Sequence, residues 1–263
     1  MKRSKVSFLE KSYVGLIFFL LYAPILILIG CSFNASKSRV VWGGFTLDWY
    51  ITLFQNEEVI SAVKTSLLLT FSAALLATLI GTLACIGITV MKKKSQQGIL
   101  TVTNIPMLNA DIVTGIAIML LFTRFWNLGF FSMLAAHVTL GVPYVILNVL
   151  PKLNQTSRII YDAAMDLGAS PVYAFIKVVL PDIMPGIFSG FLLAFTISLD
   201  DFVITYFTKG AGMNTISTMI YQQARRGINP EMYALSTILF LVILMVLWIV
   251  NRITASKPQE SRD

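Results

Sequence analysis

Three carboxylates stand where a carboxylate is expensive. Asp111, Asp200 and Asp201 fall inside long apolar runs of a 263-residue chain that is 56% hydrophobic and only 13% charged. An acid at the centre of a membrane helix costs about 2.5–3.5 kcal/mol on insertion scales, so such groups face a bundle interior or an aqueous cavity and mark a pathway. At that depth they would attract and coordinate a cationic substrate, because opposite charges interact strongly where the dielectric is low. The competing reading is a structural role near the outer interface. Neighbours on a helix lie about 100° apart, so Asp200 and Asp201 cannot both point squarely into one cavity. One faces the pathway while the other caps or pairs with a neighbouring helix. His137, the single histidine, lies in an apolar run and reads as a packed or hydrogen-bonded structural residue.

Other chemistries lack their residues. There is no Gly-x-x-x-x-Gly-Lys-Ser/Thr phosphate loop, no His-Glu-x-x-His and no Gly-x-Ser-x-Gly. An intramembrane aspartyl protease would pair Asp111 with Asp200 or Asp201 around a shared proton. The Gly-x-Gly-Asp setting is missing, since Asp111 follows Asn109-Ala110 and Asp200 follows Ser198-Leu199. Cys31 and Cys85 sit in apolar runs with no zinc spacing and no disulfide framework. Leu28-Ile29-Gly30-Cys31 has the look of a lipoprotein cleavage box, but the long preceding run reads as an uncleaved span. The net charge of +7 does not point to nucleic acid, because the basic residues flank apolar runs instead of forming a patch with aromatics.

The elements that must hold the acids are helices in a bilayer. The apolar runs are too long for barrel strands. Six spans are expected, at 14–31, 62–91, 99–125, 130–150, 183–207 and 232–250. The third carries a polar interruption at Asn104, Pro106, Asn109 and Asp111, and the fourth a kink at Pro143. Gly186 and Gly190 form a Gly-xxx-Gly pair that permits close packing. Residues 32–61 are polar and aromatic; Trp42, Trp49 and Tyr50 fit an interfacial belt or a docking surface equally well. Thirteen of the 20 Lys and Arg residues lie on the side of the termini, which places both termini in the cytoplasm. The domains expected are an N-terminal tail, first helix and extracytoplasmic aromatic segment (1–61), a transmembrane core (62–250) and a cytoplasmic tail (251–263).

On the cytoplasmic side, residues 159–185 read as helix, tight turn, helix. Gly168 fits the C′ position after a helix over 162–167. Ser170 fits an N-cap and Pro171 the first helical position. The second helix is expected to stop at Pro181. A passive channel subunit would leave this well-capped pair unexplained.

Asp162-Ala163-Ala164, then Gly168, then Leu180-Pro181 resembles the EAA loop of binding-protein-dependent ABC importer permeases, with Asp162 where that family has Glu. Ser32-Phe33-Asn34, Gly44 to Tyr50, Ser198 to Ile204, and Pro230-Glu231 with Ala234 and Thr237 resemble the PotC-type branch of spermidine/putrescine permeases. The resemblance runs over roughly residues 15–250. It implies an all-α, six-helix type I importer (MetI-like) transmembrane domain in a bacterial cytoplasmic membrane. The coupling helix pair would use Asp162, Ala163, Ala164, Asp166, Gly168, Ala169, Leu180 and Pro181. The implied partners are a homologous second permease, two copies of a cytoplasmic ATPase that holds ATP and Mg, and an extracytoplasmic polyamine-binding protein. The chain itself would bind no cofactor and catalyse no reaction. A permease for another small solute, such as an amino acid, a metal complex or an opine, is the alternative.

Overall fold

The structure is a computed structural model, and it describes residues 8–37, 41–156, 158–227 and 229–255. Lys2, Arg3, Lys5, Arg39, Lys257 and Arg262, which enter the charge count, lie outside the described residues. In chain order the helices are α1 (Phe8–Ser32), α2 (Asp48–Gln55), α3 (Glu57–Thr89), α4 (Lys93–Leu108), α5 (Asp111–Phe125), α6 (Phe130–Gln155), α7 (Arg158–Asp166) and α8 (Pro171–Ala174). A π turn (Phe175–Val179) then leads into α9 (Leu180–Asp200), followed by α10 (Val203–Thr208), α11 (Ile216–Arg226) and α12 (Pro230–Ala255). The only β pairing among the described residues is one isolated bridge, Asn34 to Phe45. Four helices are long and apolar enough to cross a membrane, or five if the bent pair α4–α5 counts as one span, and α12 adds a shorter apolar stretch, Pro230–Met245. The expected six spans therefore have four or five counterparts that meet this test.

Contacts divide the chain into two compact units, residues 61–221 and residues 1–60 with 222–263. The larger unit is built on α3, α6 and α9. Small residues set its spacing. A Cβ added to Gly81 of α3 would stand 2.7 Å from Val145 Cγ1, and one added to Gly190 of α9 would stand 3.1 Å from Val145 Cα. Val145 of α6 is thus gripped between two glycines. One layer away, an added Cβ at Gly141 would meet Ala77 at 2.9 Å and Ala194 at 3.5 Å. These pairings make α3 parallel to α6 and α9 antiparallel to it. In a bilayer, where lipid is as apolar as Leu, such close approach is what drives helices together. The core extends through Cys85, Ile88, Val149, Val179 and Ile183, with Tyr161 and Phe175 packed against it.

Three expected elements differ from the structure. The third run is not one helix: α4 and α5 meet at 104°. Asn109 (φ −85°, ψ 154°) and Ala110 (φ −66°, ψ 132°) are extended there. Pro106 deletes a helical donor just upstream, and Asp111 in the first turn of α5 favours a fresh start, since an anion is stabilised at a helix N-terminus. The fifth run likewise stops at Asp200. Asp201 is extended (ψ 122°) and α10 begins anew, so the two acids are not neighbours on one helix. Pro181 does not end the second coupling helix. The Leu180 amide instead donates to Phe175 O, a π-type bond, and the helix continues through the proline as a 30-residue rod, Pro171–Asp200. The wider π turn accommodates the missing donor and the bulk of the ring.

The smaller unit joins α1, α2 and α12. Asn56 caps α3 through its carbonyl oxygen, with Glu58 N at 3.0 Å, and donates to buried Glu231 of α12 at 3.3 and 3.4 Å. Asn34 organises the loop before α2: its side chain donates to Val41 O (2.9 Å) and accepts from Gly43 N (2.7 Å) and Ser36 N (3.1 Å).

Replacing Gly190 by Leu drives a side chain into the Val145 backbone. Overpacking of this kind costs about 1–3 kcal/mol. Thermal-shift measurements on detergent-solubilised protein should find Gly190→Leu lowered or aggregated and Gly190→Ala much closer to wild type.

Candidate functional site

The two helix breaks come together. Gly115 of α5 lies against α10, where an added Cβ would stand 3.0 Å from Phe207. Beside this contact a cavity of about 390 Å³ is lined by Asp111, Asp200 and Asp201, the three acids expected from sequence. Two rings, Tyr144 and Phe202, and the apolar Met107, Leu140, Ile197 and Val203 complete most of the wall. No lysine or arginine lines it among the described residues. Leu140 and Tyr144 come from the middle of α6, so the acids stand at the depth of the bundle centre. The charged side chains of the wall are all acids, and Asp200 closes the C-terminus of α9, where free carbonyls already carry partial negative charge. The site suits a cation, with carboxylates for its charge and rings and aliphatic side chains for its apolar parts.

The acids divide their work. Asp111 and Asp200 are exposed to the cavity, while the Asp201 side chain is 11% exposed. Asp201 accepts from the amides of Ile204 (3.3 Å) and Thr205 (2.8 Å) and from Thr205 Oγ1 (3.0 Å). It therefore satisfies the orphan donors of α10, as a capping side chain does. Ser217 Oγ donates to its backbone oxygen at 2.7 Å. The expectation that one of the pair turns to capping holds, by way of a break rather than a helix face. Below α10, burial lowers the pKa of Lys209, whose Nζ donates to Asn214 Oδ1 at 2.6 Å.

The turn from Gly168 to Pro171 is built as its sequence predicts. Gly168 has φ +88°. Its amide donates to Met165 O (2.9 Å) and that of Ala169 to Ala164 O (3.1 Å), the two bonds of a Schellman motif. Ser170 Oγ accepts from Tyr173 N at 3.3 Å. The helix α7 starts earlier than expected, at Arg158. Asp162, Ala163, Asp166 and Gly168 are exposed and Ala164, Ala169 and Leu180 half-buried, with Pro181 exposed. Around them is a bare apolar face: Ile159, Leu167 and Val172 are 78%, 90% and 69% exposed.

In the smaller unit, Trp49 and Tyr50 are structural clamps. Trp49 Nε1 donates to Asn34 O at 2.7 Å and Tyr50 Oη meets Ser32 Oγ at 2.8 Å. Trp42 alone of the three is left largely exposed. Sequence reasoning missed Tyr144, Phe202, Ser198 and Thr205. Isolated hydroxyls and rings in apolar runs carry no spacing signal; for Ser198 and Phe202 the available hint was their place beside the acids in the run Ser198 to Ile204.

The comparisons with known proteins agree with this architecture. Residues 77–257 match the family described as binding-protein-dependent transport system inner membrane component. The chain is 36% identical to the spermidine/putrescine transport system permease protein PotC of Haemophilus influenzae, over 94% of this chain and 96% of that one. It is 37% identical to the putrescine transport system permease protein PotI of Escherichia coli, over 94% and 91%. Among solved structures it is similar to a bacterial ABC transporter involved in the import of the acidic polysaccharide alginate, with a TM-score of 0.70, 18% identity and 93% of each chain covered. An amino acid ABC transporter follows at a TM-score of 0.53 and 18% identity, covering 77% of this chain and 98% of that one. A helical membrane chain with a capped coupling pair and a central cavity, matched over most of its length by this family, belongs to the binding-protein-dependent transport system inner membrane components, the permease subunits of ABC importers.

Proposed function

We propose that this chain is one of two permease subunits of an ATP-driven polyamine importer and forms half of the translocation pathway. The observation that carries the reading is the meeting of Asp111, Asp200 and Asp201 in one cavity at mid-bundle. Its size lies within the ~300–1,000 Å³ usual for small-molecule sites. Polyamines alternate ammonium groups with methylene spacers, and this wall alternates carboxylates with rings and aliphatic side chains. Desolvation offsets much of the charge attraction, which suits a transient site that must release its cargo.

The second permease is a homologue, so the cavity is completed across a heterodimer. An extracytoplasmic binding protein delivers the polyamine, with exposed Trp42 a docking candidate. Both termini are cytoplasmic. Two copies of an ABC ATPase, which carry the ATP and Mg, grip the 159–181 segment. The exposed apolar face around Leu167 supports that docking: a face left bare in one chain is covered by a partner. ATP-driven closure of the ATPases displaces α7 and α8. The continuous helix Pro171–Asp200, ~45 Å at 1.5 Å per residue, carries that displacement to Asp200 and changes access to the cavity.

Two tests follow. In proteoliposomes holding the complete complex, Asp111→Asn and Asp200→Asn should each raise the KM for spermidine uptake about tenfold, the scale of one lost charge-assisted contact. Wild-type uptake in both, or uptake competed by uncharged amino acids rather than diamines, would remove the polyamine assignment. Gly168→Leu forces a branched side chain into a left-handed conformation, at a cost of roughly 1–2 kcal/mol. It should abolish uptake and substrate-stimulated ATP hydrolysis while membrane insertion persists. Leu167→Glu should lose co-purification of the ATPase without loss of thermal stability.

A further inference from the structure

The pathway proposed above uses the carboxylates and leaves the only histidine without a task. His137 is 3% exposed on α6, between the last turn of α9 and the start of α10. Its Nδ1 lies 2.7 Å from Ser198 Oγ and its Nε2 lies 2.9 Å from Thr205 Oγ1. Thr205 Oγ1 is in turn 3.0 Å from Asp201 Oδ2. The same carboxylate oxygen stands 3.7 Å from His137 Nε2.

Counting protons orders this chain. An ionised carboxylate only accepts, and a hydroxyl has a single hydrogen to give. Thr205 therefore donates to Asp201. Its oxygen is left to accept, and what it accepts is the Nε2 hydrogen. A neutral imidazole protonated at Nε2 offers a bare lone pair at Nδ1, which takes the hydrogen of Ser198. Every donor then has an acceptor, and the bonds run one way, from Ser198 through His137 and Thr205 to Asp201. The opposite order would require the carboxylate to donate. Aligned bonds of this kind polarise one another in a low-dielectric interior.

We propose that His137 is a positioning residue of the cation pathway. As the neutral Nε2–H tautomer it locks Asp201, through Thr205, against the first amides of α10 and holds the α9–α10 break in one geometry. It never touches the substrate. Asp201 is thereby an anchored charge, while Asp111 and Asp200 stay free to follow the cation. This rests on the reading of the cavity as a polyamine pathway.

The test uses the complete complex in proteoliposomes. His137→Phe keeps a ring but removes both nitrogens, Thr205→Val removes the relay hydroxyl, and Thr205→Ser restores it. His137→Phe and Thr205→Val should each raise the KM for spermidine about tenfold with little change in the amount of assembled complex, and Thr205→Ser should behave as wild type. In an Asp201→Asn background, His137→Phe should add nothing further, because the two act through one interaction. Full additivity, an unchanged KM, or a defect confined to assembly would overturn the proposal. A second readout does not depend on transport. With Cys31 and Cys85 replaced by Ser, a cysteine introduced by Val203→Cys should react with a soluble thiol reagent several-fold faster once His137→Phe is added. An unchanged rate also overturns the proposal. Should Asp201→Asn transport normally, the pathway role of that acid fails, and the positioning role is still decided by the thiol rates.

Discussion

A helix that breaks inside a bilayer must find partners for its own freed amides and carbonyls, because the hydrocarbon supplies none. Much of this molecule follows from that constraint. At the α9–α10 break the partner is Asp201, whose carboxylate takes two amides and a hydroxyl of α10. At the α4–α5 break an acid again stands in the first turn of the new helix. At the α9–α10 break, the carboxylate that satisfies the backbone is thus also one of the three that make the cavity negative. An acid placed elsewhere in these spans would carry its insertion cost with no such return.

The breaks need a frame that does not yield. The frame is the α3–α6–α9 layer, where Val145 sits between Gly81 and Gly190 and Gly141 sits between Ala77 and Ala194. Side chains interlocked at this distance leave little room for sliding, so the three helices hold a common register. The core of that layer reaches toward the coupling segment through Val179 and Ile183, with Tyr161 and Phe175 packed on it. The α7–α8 pair is consequently seated on one side and bare on the other.

Much of this was legible in the amino-acid sequence, and the reasons are local. Gly168, Ser170 and Pro171 announce their turn because left-handed backbone, a capping hydroxyl and a fixed φ each belong to one residue type. The acids stand out because the only other charged residues in the apolar runs, Lys64 and Arg124, lie at the ends of theirs. The break at Asp201 was not legible: Ile197 to Phe207 is apolar enough to read as uninterrupted helix, and two adjacent acids do not say which of them caps the helix that follows. The role of Pro181 was misjudged for a related reason. A proline usually ends a helix, but a wider turn just before it removes the conflict, and no residue type signals a π turn. Trp49 and Tyr50 looked like surface aromatics because their partners, Asn34 O and Ser32 Oγ, lie one loop away.

That π turn also sets an angle. It holds one residue more than an α turn, so it offsets everything before it by about 100° relative to everything after it. On one side of the offset, Ala174 faces the core while Val172 and Tyr173 face outward. On the other, Gly186, Gly190 and Ala194 line up against α6. A plain α-helix through 171–200 could satisfy only one of these two stripes at a time. Phe175–Val179 is therefore the phase-setting element of the rod. Adding or deleting one residue there alters its length by a negligible 1.5 Å or so, but turns the exposed Val172 and Tyr173 face about a quarter-circle away from the glycine stripe.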